Sequence, residues 1–524
     1  MNGILYNHTW WRIAALVLVY LLTTALVFLS WNSVYNETVN YPPLLANVPD
    51  WWYRRAHIYA NSIHDPAKIS HDFRILQKSN LVRSQTWKPP VHTDDQNENK
   101  SSAQGKKLVC YYATPSPKGK KFDELHLSDV PADLCTHINV GPAEVHNSTL
   151  TLSEGLMKQL ESVPTLHARN PQLKLLLWVG GGDTSYGFPD LVRDHANRKV
   201  FIQSLKEVLR KYSLNGVDLD WEFPSAYNKQ RQHFSQLLHE IRQEYRREKR
   251  DYLLSVAVAA LEGIALFAYD IRELNLYTDH VNLMTYDFHF WSRSTPFTGL
   301  NAPLYARRSE GSILGTLNIN YSVHWWLANG LERSKLVVGL PTYGHSYKLV
   351  NPFNNVIGAP AESIGRCGSK GFTTYSEVCW FESHNMFVSS MYDQQTCSPY
   401  LYSGSEWISF ENEMSMECKA RYAKSNDLGG VMIFSLNTDD FGGYCSTKSS
   451  ETANSSGANL TFPLVATARQ FGFGQLSLVA SSGTVCSKPL CVFLKRFVEC
   501  PLQLFTFLIV ILALFLFLDF RIVF

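Results

Sequence analysis

From residue 107 onward, short apolar segments alternate with one-faced helical patterns. Eight segments have strand character: KLVCYY (107–112), LCTHINV (134–140), LKLLLWV (173–179), NGVDLDWE (215–222), YLLSVAVAA (252–260), HVNLMTYD (280–287), KLVVGLP (335–341) and GGVMIFSL (429–436). Before the fourth, Phe201, Leu205, Val208, Leu209 and Tyr212 fall at i, i+4, i+7, i+8 and i+11. After it, Phe234, Leu237, Leu238, Ile241 and Tyr245 fall at i, i+3, i+4, i+7 and i+11. Such spacings put the apolar residues on one stripe of a helix. Nearly continuous apolar strands set between such helices indicate a parallel sheet covered by helices. Eight of them predict a (β/α)8 TIM barrel, here over residues 106–446. The stretch 342–428 is too long for one crossover. It predicts a small α+β insertion, at about 345–425, between strands seven and eight.

The flanks read differently. Residues 13–31 (IAALVLVYLLTTALVFLSW) form a 19-residue run without a charge. As a helix it would be about 28 Å long, enough to cross a bilayer. No small-x-small cleavage pattern follows, so a retained anchor is expected in preference to a cleaved signal peptide. Arg12 precedes the run and the next charge is Glu37. The positive-inside rule then leaves residues 1–12 in the cytoplasm and the remainder outside or in the lumen, a single-pass type II arrangement. Residues 32–105 read as a stalk ending in the polar linker HTDDQNENKSSAQGKK. A Ser/Asn-rich exit follows the barrel and opens a Ser- and Cys-containing tail, 447–500. Residues 501–518 are again uncharged and apolar. They are expected to be a second span, with a GPI signal as the alternative.

The bulk numbers narrow the classes. A chain of 524 residues with 45% hydrophobic and 18% charged residues can bury a large core and is not disordered overall. The net charge of +2 makes no case for a nucleic-acid partner, and none is expected. The ten cysteines all lie after residue 109, and six N-x-S/T acceptor sites follow the apolar run: Asn36, Asn99, Asn147, Asn320, Asn454 and Asn459. Together they indicate an oxidising, secretory-route compartment.

The chemistry concentrates in LNGVDLDWEFP, Leu214 to Pro224. Alternate residues of a strand share a face, so Asp218, Asp220 and Glu222 project together, roughly 6.6 Å apart along the strand. Val217, Leu219 and Trp221 project the other way, toward the covering helices. In a barrel the carboxylates would line the interior, with Glu222 at the C-terminal mouth, where such barrels carry their chemistry. Crowded carboxylates raise one another's proton affinity, so the outermost can act as a general acid backed by a charged partner. Histidines are lacking nearby, and neither a metal nor a cofactor is expected.

At these residues the chain resembles glycoside hydrolase family 18, the chitinases, whose signature reads D/N-G-x-D-x-D-x-E. LVCYY, LCTH, the glycine pair after the third strand, MTYDFH (284–289), TGLNAPLY (298–305), LPTYG (340–344) and LNTDDFGGYC (436–445) agree with the family in order. The N-terminal run is like that of membrane-bound, arthropod-type chitinases. The resemblance implies substrate-assisted retaining hydrolysis of chitin or chitooligosaccharides. Glu222 would protonate the glycosidic oxygen, Asp220 would accept the acetamido N–H, and Asp218 would hold the proton balance. Tyr286 would bond the acetamido carbonyl. Met284, Asp287, Tyr343 and Phe434 would shape the substrate site, and Trp221, inside the signature, is a further candidate contact. The resemblance also implies the disulfides Cys110–Cys135 and Cys379–Cys445. Cys367, Cys397 and Cys418 are then left in the domain, with Cys486, Cys491 and Cys500 in the tail, and their pairing stays open.

The chain also departs from the pattern. Family members commonly have Ser-x-Gly-Gly-Trp after the third strand, whereas WVGGG here puts Trp178 for the serine and Gly182 for the tryptophan. Phe434 stands where a floor tryptophan is usual, and His345 where an arginine is common. The second strand ends in Asn139-Val140-Gly141-Pro142 in place of an aromatic-rich stretch. These changes keep the catalytic groups and shrink the sugar platforms. They imply weaker binding of long polymer, and they leave a chitinase-like lectin as the alternative to an enzyme.

Overall fold

The computed structural model describes residues 105–115, 124–225, 227–445 and 461–473. The expected anchor, stalk and second apolar run lie outside the described residues. Among the described residues, no helix is long and apolar enough to cross a membrane.

All eight predicted strands are present. They are β1 (Lys107–Ala113), β2 (His137–His146), which carries a short antiparallel partner β3 (Thr149–Thr151), β4 (Lys174–Gly180), β5 (Gly216–Asp220), β6 (Leu253–Ala259), β7 (His280–Met284), β8 (Leu336–Pro341) and, after an insertion containing β9 to β14, β15 (Gly430–Phe434). Apart from β3 they pair in parallel in chain order, and β1 bonds both β2 and β15, which closes the barrel. The helices that cover β5 follow the predicted stripes. His195–Lys211 buries Phe201, Leu205 and Leu209, and Gln230–Arg247 buries Phe234, Leu237, Leu238, Ile241 and Tyr245. Ion pairs link the two helices along their length: Arg198–Glu240 at 2.7 Å, Lys206–Glu248 at 2.8 Å and Arg210–Glu248 at 2.6 Å.

The insertion begins slightly earlier than expected, at Tyr343. It is a sheet of β9 (Tyr343–Leu349), β10 (Ala361–Ile364), β11 (Phe372–Thr374), β12 (Ser389–Asp393), β13 (Ser398–Ser403) and β14 (Glu406–Ser409), with one helix, Tyr375–His384. The strand order is β10-β9-β14-β13-β12, and β11 also pairs with β9. Tyr347, Leu349, Ala359, Ala361 and Trp407 form its own small core with Leu300. Only Thr342 separates β9 from barrel strand β8, so the insertion's first strand starts at the barrel mouth.

Both expected disulfides form, and a third, Cys397–Cys418, joins two of the cysteines whose pairing the sequence left open. Cys367 is buried, with its sulfur 3.4 Å from the Thr373 hydroxyl. Beyond the expected domain end at 446, a helix, Pro463–Phe473, packs on helix Glu413–Ser425 and β15. It buries Leu464, Val465 and Ala468, and backbone N–H groups of its first turn donate to the Asp439 carboxylate, 3.0 Å from Val465 and 3.4 Å from Leu464.

Candidate active site

Strand β5 is buried on both faces along its whole length. Exposure rises along the carboxylate series from 0% at Asp218 to 2% at Asp220 and 6% at Glu222. The innermost group is held from across the barrel. Its Oδ1 accepts from the Ser255 hydroxyl of β6 at 2.6 Å and from the Asn282 amide of β7 at 3.0 Å. Its Oδ2 accepts from the Tyr111 hydroxyl of β1 at 2.6 Å. Burial pushes the Asp218 carboxyl up to about 6, while these three donors favour the anion and hold it back. Burial and the neighbouring charges of Asp218 and Asp220 push the Tyr111 hydroxyl well above the usual tyrosine range, so it stays a donor.

The loop after β4 positions the next two carboxylates. Gly180 and Gly181 have φ of 93° and 108°, a left-handed backbone that favours glycine. A Cβ on Gly180 would lie 2.3 Å from the Asp220 carbonyl oxygen, so the close approach of the two strands also requires its absence. Gly181 N–H donates to that same carbonyl at 2.7 Å. The Ser185 hydroxyl lies 3.1 Å from it and accepts from the Glu222 N–H at 3.1 Å. Ser185 thus ties the backbone on either side of Trp221 to one point. The Trp178 indole N–H donates to Asp220 Oδ2 at 3.0 Å.

Above the carboxylates stands an aromatic cluster. Phe434, 7% exposed at the end of β15, has its ring within 5.4–6.3 Å of the rings of Tyr111, Trp178, Tyr286 and Tyr343. Met284 and Tyr286 are each 2% exposed, at and just beyond the end of β7. Asp287, with φ of 59°, receives 2.7 Å and 2.8 Å contacts on Oδ1 from the Tyr343 hydroxyl and His345 Nε2. Its N–H donates to Asn301 at 2.9 Å.

His345 is 1% exposed, and its Nε2 lies 2.8 Å from Asp287 Oδ1. Tyr343 stacks on Phe372 with centroids 4.5 Å apart, and its hydroxyl donates to Asp287 Oδ1 at 2.7 Å. Trp221 is corrected outright as a substrate contact. Its ring stacks on Phe188 at 5.4 Å and meets Phe234 edge-on at 5.7 Å, in the layer between strand and helices. The alternation that sends Asp220 and Glu222 inward sends Trp221 outward.

Tyr111, Ser255, Asn282, Ser185 and Asn301 were not singled out from sequence. Asn282 had a visible signal, because it shares the two-residue phase of Met284 and Tyr286. Among the described residues, no cluster of three or more ligating side chains could hold a metal ion.

A closed parallel barrel with three inward carboxylates rising to its C-terminal mouth defines a glycoside hydrolase of the TIM-barrel class. Residues 107–439 match the glycosyl hydrolases family 18, and the chain belongs to that family. It is 35% identical to mouse chitotriosidase-1 over 360 residues, 65% of this chain and 75% of the relative. Human YKL-39, solved with chitooligosaccharides, superposes with a TM-score of 0.65 at 30% identity, over 71% of this chain and 100% of that one. The Group IV chitinase of Ostrinia furnacalis, solved with allosamidin, superposes with a TM-score of 0.63 at 31% identity, over 70% and 98%.

Proposed function

We propose that the protein hydrolyses β-1,4-linked N-acetylglucosamine chains by substrate-assisted retaining catalysis. The observation that carries this reading is the graded series Asp218, Asp220, Glu222, whose outermost member stands at the barrel mouth. Glu222 gives its proton to the glycosidic oxygen as the bond to the anomeric carbon breaks. The substrate's acetamido oxygen forms the new bond to that carbon. Asp220 accepts the acetamido N–H and offsets the charge of the cyclic intermediate, and the Tyr286 hydroxyl bonds the acetamido oxygen. Water then opens the intermediate and gives a proton back to Glu222, so the configuration is retained. Human YKL-39 is described as a pseudo-chitinase with retained chitooligosaccharide binding. Here the acid at the mouth favours turnover over binding alone.

The three disulfides support an extracellular or lumenal site, and the charge-free run 13–31 supports single-pass type II anchoring. The decisive experiment is hydrolysis of a fluorogenic N-acetylglucosamine oligomer by the wild type and by Glu222→Gln. The variant should lose at least ~10²-fold in rate. No turnover by the wild type, with oligomers still raising the melting temperature of both proteins, would mean a lectin.

A further inference from the structure

The bond from Trp178 to Asp220 falls at a position where the family commonly has serine. Trp178 pairs in register with Asp218, and its side chain points into the barrel. The indole is 6% exposed and is held edge-on by Tyr111 at 5.2 Å and by Phe434 at 5.8 Å. Its six-membered ring would approach a Cβ on Gly181 to 3.0 Å, so the glycine leaves it room. Aromatic walls thus fix the direction of the indole N–H, which ends 3.0 Å from Asp220 Oδ2.

We propose that Trp178 is a positioning residue whose fixed indole N–H bonds Asp220 Oδ2 and favours the Asp220 anion for the acetamido N–H. This inference rests on the catalytic reading above. An indole N–H can only donate, so it bonds a carboxylate more strongly than a carboxylic acid. In a site shielded from water that preference is enlarged. The titratable groups sharing this interior are Asp218 and Glu222 on the same segment, Tyr111 from β1 and Tyr286 beyond β7. The Tyr111 hydroxyl is a neutral donor, and the two carboxyls oppose a further negative charge. A fixed neutral donor therefore favours the Asp220 anion where its neighbours disfavour it. A serine hydroxyl at this place could rotate and could accept as well as donate, so it would favour the anion less.

The test uses two replacements. Trp178→Phe keeps an aromatic wall and removes the donor. Site-specific incorporation of benzothienylalanine keeps the bicyclic shape and removes only the N–H. The Asp220 carboxyl carbon is followed by 13C NMR against pH, with Asp220→Asn as the assignment control. Both variants should move its titration upward by about one pH unit. If the wild type turns over substrate, kcat should fall about tenfold with KM little changed, and the acid limb of the rate profile should move the same way. An Asp220 titration unchanged in the benzothienyl protein overturns the proposal, whatever the activity. A wild type that does not hydrolyse overturns the catalytic reading alone, because the titration is read without turnover. If Trp178→Phe unfolds, the titration of the shape-conserving variant alone supports or overturns the proposal.

Discussion

His345 Nε2 and Asp287 Oδ1 stand 2.8 Å apart, and both residues are buried. The same oxygen receives the Tyr343 hydroxyl at 2.7 Å, so two donors converge on one atom at the rim of the site. Removing one donor leaves a buried carboxylate less satisfied, at a cost of about 1–3 kcal/mol. His345→Ala should lower kcat/KM by roughly 10- to 100-fold. Tyr343→Phe keeps its stack on Phe372 and should cost less. Steady-state kinetics on a short oligomer checks both, and an unaltered His345→Ala enzyme would return this histidine to a packing role.

Asp218 gives a pH-dependent stability signature. Its carboxyl is pushed up to about 6 by burial, above its unfolded value of 3.8. Between those values the native state holds more protons than the unfolded chain, so this group's contribution is fully present below about 4 and is lost as pH rises through 6. Asp218→Asn cannot titrate. Relative to the wild type it should therefore gain about 3 kcal/mol in stability between pH 4 and pH 7. Chemical denaturation of both proteins across that range measures the difference, and parallel stability curves would contradict the expectation.

Lys419 and Glu411 form an ion pair at 2.5 Å with both side chains fully buried. Burial lowers the lysine and raises the glutamate from their ordinary values, the signature of charges taken out of water. Breaking the pair strands one charge, so Lys419→Met should destabilise by about 3–5 kcal/mol. The double change Glu411→Leu with Lys419→Met should recover most of that loss. Thermal denaturation of the wild type and both variants tests the coupling.

Two glycan acceptor sites fall among the described residues, and they differ. Asn147 lies exposed in the turn between β2 and β3, with φ of 49°. Asn320 is only half-exposed at the start of helix Ile319–Ala328, where its side-chain oxygen accepts from Tyr422 at 3.0 Å. In chain made through the secretory route, peptide mass spectrometry should find glycan on Asn147 and little on Asn320.

The barrel was legible because its signals are local. Each strand carries its own apolar run, and each covering helix its own stripe, so Phe201 to Leu209 and Phe234 to Tyr245 could be assigned without knowing their partners. The carboxylate series was legible for the same reason, since two-residue alternation fixes which side chains share a face. What escaped depends on residues far apart in sequence. The donors on Asp218 come from β1, β6 and β7, and no spacing announces that Tyr111, Ser255 and Asn282 meet. The Trp178 bond escaped because a tryptophan in an apolar strand reads as core. Alternation had already placed Trp221 among the helices, and only its membership of the family signature made it a candidate contact.

The helix Pro463–Phe473 bears on where the protein can be cut. Its first turn is tethered to Asp439, which burial pushes up to about 7, and its apolar face covers the outside of the strand that completes the barrel. A fragment ending at 446 would strip that cover and leave the last strand's helix with an oily flank. A truncated catalytic piece should therefore extend to Phe473, so that this helix is kept.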